Sequence, residues 1–295
     1  MKVGTQEFHT EEKTYIMGIL NVTPDSFSDG GKYHEIDAAL WRAEEMKKDG
    51  AAILDIGGES TRPGFTPVSE DEEMERILPV IEAVKKRIEI PISVDTYKSR
   101  VAEAAIRAGA DLINDIWGLK ADADMAKVIA EYQVACCLMH NRRDAVYLKD
   151  RTCGIVGNAA RDVKDSKDTT SDFLSVLLSD LQESLLLAER AGIEKDKIIL
   201  DPGVGFAKNY EQNLEAIRSL GKIRSLGYPV LLGTSRKSVI GLTLDLPSDQ
   251  RLEGTLVTTV AAVSQGAAFV RVHDVKENAR AIKMAEAIYR NRLVI

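Results

Sequence analysis

The most informative segment of the sequence reads Gly18-Ile19-Leu20-Asn21-Val22-Thr23-Pro24-Asp25-Ser26-Phe27-Ser28-Asp29-Gly30. The apolar run that leads into it, from Tyr15 to Leu20, has the length of a buried strand and stops at Asn21. A loop with proline and glycine follows, and a helical pattern begins near Ile36. This order of apolar strand, polar end, loop and helix predicts a βα unit.

The same unit recurs along the chain. Eight β-rich apolar runs are predicted, at residues 15–20, 51–56, 91–95, 111–116, 134–139, 197–201, 229–233 and 268–272. Helical patterns lie between them, and three end in a cation followed by glycine, at Gly50, Gly109 and Gly192. Because continuous apolar strands are buried on both faces, the pattern predicts a parallel sheet covered by helices.

The number of units selects the fold class. Eight βα units in 295 residues favour an α/β chain closed as a single (β/α)8 TIM barrel over an open doubly wound sheet. No Gly-x-Gly-x-x-Gly follows the first strand, which weakens a dinucleotide-binding alternative. No linker divides the chain, so residues 1–295 are predicted to form one barrel domain with long loops after strands 1, 2 and 5.

Composition narrows the function classes. The chain is 44% hydrophobic and 29% charged, as in globular proteins. A net charge of −7 argues against non-specific nucleic-acid binding. Neither a membrane span nor a secretory signal is visible, so cytoplasmic location and no membrane partner are expected. Cys136 and Cys137 are adjacent on a predicted strand, so they should face opposite ways as inert buried thiols.

Polar groups stand at the predicted carboxyl end of every strand. They are Asn21, Asp55, Asp95, Asn114 with Asp115, His140, Asp201, Ser235 with Arg236 and Lys237, and Arg271 with His273. The active sites of such barrels lie at this end. Ordinary loop starts and helix caps explain some of these residues, but they explain poorly the acids inside apolar runs, such as Asp55 and Asp95.

The types of these residues point to two kinds of ligand chemistry. Asp95, Asp201 and Asn114 offer the acceptors and amide donors that suit the edge of a flat, nitrogen-rich heterocycle. In a closed barrel the eighth strand neighbours the first, so Arg271 and His273 should meet Asn21. Arginine and histidine donors beside an amide favour a phosphate pocket, and such a pocket would also suit Mg²⁺.

Each assignment has an alternative. Arg271 could form a structural ion pair at the rim, and His273 could merely neighbour Asp274 at a helix N-terminus. Lys237 lies in a short Gly/Ser loop, where a binding role is favoured over a Schiff-base role. Asp55 could either hold the second loop or take part in the site.

Seven separated blocks of the sequence resemble those of a known family. The blocks are 17–30 (Met17 to Gly30), 55–64 (Asp55-Ile-Gly-Gly-Glu-Ser-Thr-Arg-Pro-Gly64), 92–96, 114–115, 200–206, 233–238 and 270–273. In this order, and each at a strand end, they resemble the pterin-binding barrels, and among them the folate-pathway dihydropteroate synthases. The resemblance runs from about Tyr15 to Tyr289.

The resemblance implies an activity, a cofactor and an assembly. The family condenses 6-hydroxymethyl-7,8-dihydropterin pyrophosphate with p-aminobenzoate, giving 7,8-dihydropteroate and pyrophosphate by a dissociative (SN1-like) substitution. It implies Mg²⁺ as the cofactor, a homodimer, and competition by sulfonamides for the p-aminobenzoate pocket. The partners would be these two small-molecule substrates.

The resemblance also implies residue roles. The pterin would be held by Asp95, Asn114, Asp201 and Lys237, and the pyrophosphate by Asn21, Arg271 and His273, with Mg²⁺ near Asn21. The p-aminobenzoate pocket would be formed by Phe27, Thr61, Arg62, Pro63, Phe206 and Ser238. The residues implied to act in catalysis are Asp95, Asp201, Lys237, Arg271 and His273.

Other readings share the barrel. A methyltetrahydrofolate-dependent methyltransferase would share the pterin acids but has no use for the Ser-Thr-Arg-Pro loop or the Arg-x-His pair. A non-catalytic pterin-binding paralogue would show losses in the first two loops, and none is visible. A phosphate-handling barrel lyase is a third alternative. The sequence differs from the family pattern after the fifth strand, where it reads Leu138-Met139-His140-Asn141-Arg142-Arg143. No role is therefore assigned to residues 140–170.

Overall fold

The computed structural model describes residues 1–22, 31–59, 68–142 and 170–290, and the side chains of all of these except 31–35 and 170–172. A short hairpin precedes the barrel, formed by β1 (Lys2–Val3) and β2 (Gln6–Glu7). The eight barrel strands are β3 (Tyr15–Asn21), β4 (Ala51–Gly57), β5 (Ile92–Asp95), β6 (Leu112–Asp115), β7 (Ala135–Met139), β8 (Ile198–Asp201), β9 (Leu231–Leu232) and β10 (Phe269–Val272).

Ten α-helices connect and surround these strands in the described ranges. They are α1 (Gly31–Asp49), α2 (Glu70–Arg87), α3 (Ser99–Ala108), α4 (Met125–Tyr132), α5 (Thr170–Ala191), α6 (Tyr210–Arg218), α7 (Leu220–Arg224), α8 (Ser238–Leu244), α9 (Leu252–Ser264) and α10 (Val275–Tyr289). None of the helices in this part of the chain is long and apolar enough to cross a membrane.

The strand order closes the barrel. Parallel pairing runs β8-β7-β6-β5-β4-β3-β10-β9, and a parallel bridge between Leu200 and Val230 joins the two ends. The first and last barrel strands are neighbours, with Arg271 opposite Met17. The predicted (β/α)8 TIM barrel is therefore confirmed. The prediction of one domain over residues 1–295 stays a prediction, because it includes residues outside the described ranges.

Helix ends follow the sequence signals. α1, α3 and α5 stop directly before Gly50, Gly109 and Gly192, whose φ angles are 111°, 118° and 84°. A residue with a Cβ atom rarely adopts such angles, so glycine ends the helix at little cost. α6 begins with a capping box, in which the side chains of Asn209 and Gln212 each accept a backbone N–H of the other.

Two apolar cores lie on either side of the strands. The outer core packs the strands against the helices and contains Cys136, whereas the core inside the barrel contains Cys137. The prediction that these two buried thiols face opposite ways is confirmed. Val3 and Phe8 from the N-terminal segment join the inner core, and the Phe8 ring lies 5.5 Å from that of Phe269. The N-terminal segment therefore closes the amino end of the barrel. Its strands are too short to give a sequence pattern that would predict this contact.

The carboxyl end of the barrel interior is polar. Side chains two residues apart on a strand point the same way. Inner-core residues are accordingly followed two positions later by polar ones, as in Ile53 and Asp55, Leu112 and Asn114, Ile199 and Asp201, and Phe269 and Arg271. The strand period thus stacks a polar layer on an apolar one.

Candidate functional site

An arginine and two carboxylates form the floor of the polar layer. Arg271 donates from Nε to Asp55 Oδ2 at 2.5 Å and from Nη2 to Asp95 Oδ2 at 2.7 Å. Asp55 also accepts a hydrogen bond from Ser93 Oγ at 2.5 Å and one from Asn114 Nδ2 at 3.4 Å. Asp55 is fully buried and gathers side chains from three other strands, so its place is beneath the site and not at the second loop.

Burial and neighbouring charges set the protonation states of Asp95 and Arg271. Desolvation raises the pKa of Asp95 to about 7, although the Arg271 charge opposes the shift and Asp55 adds to it. Burial also works against the charged form of Arg271, but the Asp55 and Asp95 carboxylates hold its pKa above its usual value. Arg271 is therefore cationic, and Asp95 exchanges its proton near neutral pH.

The opposite wall carries Asp201 and Lys237. Asp201 Oδ1 accepts the backbone N–H of Gly203 at 2.7 Å. Lys237 Nζ donates to the carbonyl of Val204 at 2.6 Å and lies 4.6 Å from the centre of the Phe206 ring. Desolvation raises the pKa of Asp201 and lowers that of Lys237 to about 8, while the Asp201 charge opposes the fall in the lysine.

Two glycines leave space in front of these groups. A Cβ atom on Gly233 would lie 3.7 Å from Asp201 Oδ2 and 3.8 Å from Lys237 Nζ. One on Gly57 would lie 3.6 Å from Asp95 Cβ and 3.9 Å from Asn21 Oδ1. Both positions lie at the mouth, so a ligand can approach the acids, the amide and the lysine without meeting a side chain there.

His273 is held by Ser235. The hydroxyl of Ser235 accepts the backbone N–H of His273 at 3.2 Å and lies 3.0 Å from Nδ1 of its ring. One hydroxyl therefore holds both the backbone and the ring of His273. The predicted neighbours Asn21, Arg271 and His273 thus lie on adjacent strands, with Arg271 turned toward Asp55 and Asp95 and His273 toward Ser235.

A buried charge cluster joins the described residues on either side of the segment 60–67. Lys98 Nζ contacts Glu59 Oε2 at 2.7 Å, Glu73 Oε2 at 2.6 Å and the carbonyl of Val68 at 2.9 Å. Glu59 also accepts the backbone N–H of Val68 at 3.1 Å and the hydroxyl of Tyr97 at 3.1 Å. Glu59 and Lys98, rather than Asp55, hold residues 59 and 68 together.

Other polar residues at the strand ends serve the fold. Asp115 accepts the backbone N–H groups of Trp117 and Leu119 at 2.8 and 2.7 Å, and burial raises its pKa to about 6. Arg236 makes a two-bond pair with Asp274, in which Nε donates at 2.9 Å and Nη2 at 2.5 Å. Helix caps and turns therefore account for part of the polar rim, as the alternative in the sequence analysis allowed.

The structure tests the implied p-aminobenzoate pocket only in part. Phe27, Thr61, Arg62 and Pro63 lie outside the described residues. Phe206 is buried beside Lys237 and packs with Ile116 and Met139, and Ser238 is the first residue of α8.

Sequence reasoning missed three charged residues near the site. Glu59, Lys98 and Lys208 were not among the candidates, because none follows a strand directly. Lys208 belongs to the glycine-rich segment after β8, and a cation next to glycines at the barrel rim was a usable signal. The pairing of Glu59 with Lys98 spans 39 positions and has no local pattern.

The fold and the rim together define a class: a parallel (β/α)8 barrel whose carboxyl end presents carboxylates, an amide and a lysine to a small, nitrogen-bearing ligand, with cations beside it. The sequence model of the family described as pterin binding enzyme matches residues 17–273. The chain belongs to this family of pterin-binding enzymes.

Relatives agree over the whole length. The dihydropteroate synthase of Clostridium beijerinckii is 54% identical over 291 residues, which cover 98% of this chain and 100% of the relative. The crystal structure of dihydropteroate synthase from Clostridium difficile in the presence of pteroic acid has a TM-score of 0.86 at 47% identity, covering 96% of this chain and 100% of the other. That of Xanthomonas albilineans dihydropteroate synthase with 4-aminobenzoic acid has a TM-score of 0.82 at 38% identity, covering 94% and 93%.

The donor set bears on the implied Mg²⁺. Among the described residues, no group of three or more His, Cys, Asp or Glu side chains could hold a metal ion. Asn21 offers one amide oxygen at the end of β3. One amide oxygen suits an ion that keeps water ligands and arrives on a phosphate group, which is the usual habit of Mg²⁺.

Proposed function

We propose that this protein catalyses the condensation of 6-hydroxymethyl-7,8-dihydropterin pyrophosphate with p-aminobenzoate in folate biosynthesis. The observation that carries the proposal is the polar layer of the barrel, in which Asp95, Asn114, Asp201, Lys237 and Arg271 converge on one mouth. Full-length similarity to dihydropteroate synthases supports the same reaction. The enzyme is accordingly a transferase.

The pterin fits the acids and the lysine. Asp95 and Asp201, as carboxylates, accept the N–H groups of the pterin edge, and the Asn114 amide can both donate and accept. Lys237 donates to a ring nitrogen or oxygen. These groups match a heterocycle that carries donors and acceptors side by side, and an analogue without them would leave buried groups unpaired.

The pyrophosphate fits the cations on the last strand. Arg271 uses two of its N–H groups on Asp55 and Asp95, and its remaining N–H groups can serve a phosphate oxygen. His273 adds a second basic side chain at this rim, and Asn21 ends β3, the strand that pairs with β10. Bound Mg²⁺ would neutralise charge on the leaving pyrophosphate, and Asn21 would be its protein ligand.

The mechanism is a dissociative substitution. Departure of pyrophosphate leaves positive charge on the pterin methylene, which the ring delocalises. The Asp95 and Asp201 carboxylates then stabilise that charge from a site with little water. The weakly basic amine of p-aminobenzoate attacks the methylene from the mouth, and the nitrogen then loses one proton to solvent, so that a C–N bond replaces the broken C–O bond. Phe206 and Ser238 are proposed to contact this substrate together with Phe27, Thr61, Arg62 and Pro63.

The competing barrel enzymes fit less well. A methyltransferase on the same scaffold needs the pterin acids but not a paired arginine and histidine for a leaving pyrophosphate. A non-catalytic paralogue would not need to hold Arg271 on two buried carboxylates, because buried charge is costly.

Turnover tests the proposal directly. The purified protein with Mg²⁺ should release pyrophosphate only when both dihydropterin pyrophosphate and p-aminobenzoate are present, and a sulfonamide should compete with p-aminobenzoate. A folded protein that binds a pterin but releases no pyrophosphate would support the paralogue instead. Methyl transfer from methyltetrahydrofolate would support the methyltransferase.

The pH dependence of pterin binding follows from three shifted groups. Below about pH 7 Asp95 gains a proton and loses its acceptor role, and above about pH 8 Lys237 loses its charge. Burial also raises the pKa of Asp201, which adds to the acid limb. Binding of a pterin without a phosphate, followed by calorimetry, should therefore peak between about pH 7 and pH 8. Asp95→Asn should shift the acid limb to lower pH, and an unchanged limb in this variant would assign it to Asp201.

We infer that the chain forms a homodimer through α9 and α10. Val257 on α9 and Met284 and Ile288 on α10 are 68%, 62% and 57% exposed, and the two helices pack side by side. Adjacent exposed apolar side chains on neighbouring helices favour a protein interface. The expected occupant is a second copy of this chain. The cytoplasmic location stays a prediction.

Light scattering after gel filtration tests the dimer. Val257→Glu should shift the protein toward the monomer mass, because it buries a charge in the interface. Trp41→Glu is the matched control, since Trp41 is 61% exposed but lies on α1. A wild-type monomer, or equal effects of both changes, would contradict the assignment.

A further inference from the structure

The loop after β8 lies between two lysines. Its carbonyl groups face Lys237 on one side and Lys208 on the other. Lys237 Nζ donates to the carbonyl of Val204 at 2.6 Å, whereas Lys208 Nζ donates to those of Gly203 and Phe206, at 2.9 Å each. The proposed roles of Asp201, Lys237 and Phe206 use only one side of this loop. Lys208 has no role in them.

A histidine and an aspartate complete the surroundings of Lys208. Its Nζ lies 2.8 Å from Nδ1 of His140, and Nε2 of His140 lies 3.0 Å from Asp180 Oδ2. A carboxylate only accepts, so Nε2 carries the ring proton and Nδ1 is free to accept from Lys208. Burial lowers the pKa of His140 to about 3, which keeps the ring neutral. Lys208 Nζ thus has four acceptors around it, the fourth being the carbonyl of His140 at 3.4 Å.

The backbone of this loop is closely packed at Gly203 and Gly205. Gly203 has a φ of 67°, and a Cβ atom there would overlap the carbonyl oxygen of His140. Gly205 has a φ of 87°, and its Cβ atom would lie 3.0 Å from Lys237 Cδ. The loop N–H groups are also engaged, that of Gly203 by Asp201 and that of Gly205 by Asn213 Oδ1 at 2.6 Å. A shift on the Lys208 side would therefore be felt by both Asp201 and Lys237.

We propose that Lys208 is a positioning residue for the pterin site. Lys208 holds the loop of residues 202–207 on the side away from the site. On the other side, this loop fixes Lys237 through Val204 and Phe206, and Asp201 through Gly203. The inference rests on the proposed binding of a pterin by Asp201 and Lys237. His140 and Asp180 extend the support to β7 and α5. Lys208 acts through the loop, and its hydrogen bonds all go to the protein.

The charge at position 208 also bears on Lys237. The groups that face Lys237 are Asp201 on β8, Asp95 on β5 and Arg271 on β10, with Lys208 behind the loop. Burial lowers the pKa of Lys208 to about 7, so Lys208 is mostly neutral at the pH where Lys237 titrates. A permanent cation at position 208 should therefore lower the pKa of Lys237 and move the alkaline limb of pterin binding to lower pH. A role limited to stability would not move the limb.

The test compares three variants with the wild type by calorimetric titration of pteroic acid between pH 6 and 10. Lys208→Gln should weaken binding about tenfold at neutral pH and leave the alkaline limb in place. Lys208→Arg is charged over the whole range and should move the limb about half a pH unit lower. Lys197→Met is the control, because Lys197 also donates to a backbone carbonyl, that of Gln133 at 3.1 Å, but through an exposed hydrogen bond away from the site. Titration of the ligand itself is common to all four proteins.

The outcomes separate this proposal from the proposed function. Unchanged affinity in Lys208→Gln, or an unmoved limb in Lys208→Arg, would overturn the positioning role, even if the melting temperature fell. An equal loss in Lys197→Met would overturn it as well. A wild-type protein that does not bind pteroic acid would instead refute pterin binding itself.

Discussion

Arg271→Ala is expected to raise the KM for dihydropterin pyrophosphate about 100-fold while the KM for p-aminobenzoate changes little. The reason is the position of the guanidinium, which lies between Asp55 and Asp95 and faces the proposed leaving group. Its removal also leaves two carboxylates buried without a cation. We expect the variant to lose about 3–5 kcal/mol of stability, as when one partner of a buried ion pair is removed.

Further variants separate the two effects of this change. Arg271→Ala combined with Asp55→Asn removes a charge together with its partner, so it should recover part of the stability but none of the affinity for the pyrophosphate substrate. Arg100→Ala is a surface control, because its pairs with Glu70 and Asp71 are exposed and should contribute little to stability. If Arg271→Ala lowered the melting temperature and left both KM values unchanged, the role of Arg271 would be structural.

Lys98→Met is expected to cost about 3–5 kcal/mol of stability, because Glu59 and Glu73 lose their shared cation inside the protein. Burial already raises the pKa of Glu73 with Lys98 in place. Without Lys98 the pKa of Glu73 should rise further in the folded state, because Lys98 lowers it. A folded-state pKa above the unfolded one means that stability is lost as pH rises, so the deficit of the variant should be largest at neutral pH and shrink toward pH 5.

The same variant bears on the second substrate. Glu59 and Val68 lie directly before and after residues 60–67, which include the predicted p-aminobenzoate residues Thr61, Arg62 and Pro63. We therefore expect Lys98→Met to raise the KM for p-aminobenzoate and to leave the KM for the pterin substrate unchanged. Lys85→Met is the control for unfolding measurements, since the Lys85 side chain is 44% exposed where it pairs with Asp111. Equal stability losses in the two variants would contradict the buried-pair argument.

The strands and the site acids could be read from the sequence for one physical reason. A buried parallel strand is a short apolar run, and the polar residue that ends it must lie at the barrel mouth. Asp95, Asn114 and Asp201 were predicted in this way. The adjacency of β3 and β10 followed from closure alone, which is why Arg271 could be placed near the first strand.

What the sequence could not supply was the direction of long side chains. Arg271 was expected to face Asn21, but two buried carboxylates attract it, and Asp55 emerged as the centre of the floor. Lys208 and Lys98 act on backbone carbonyls or on acids far away in sequence, and neither contact has a periodic signature. The N-terminal hairpin has strands of two residues, too short for any alternation to register.

The packed amino end of the barrel has a kinetic consequence. The inner core, to which Val3 and Phe8 belong, blocks this end, so the proposed site opens at the carboxyl end. A site with one opening favours ordered binding and release. The substrate that binds deepest must bind first, and the molecule nearest the opening must leave first. Steady-state kinetics with product inhibition should therefore show a compulsory sequence, with the pterin ring seated before the arylamine and the amine-bearing end of the product facing the solvent.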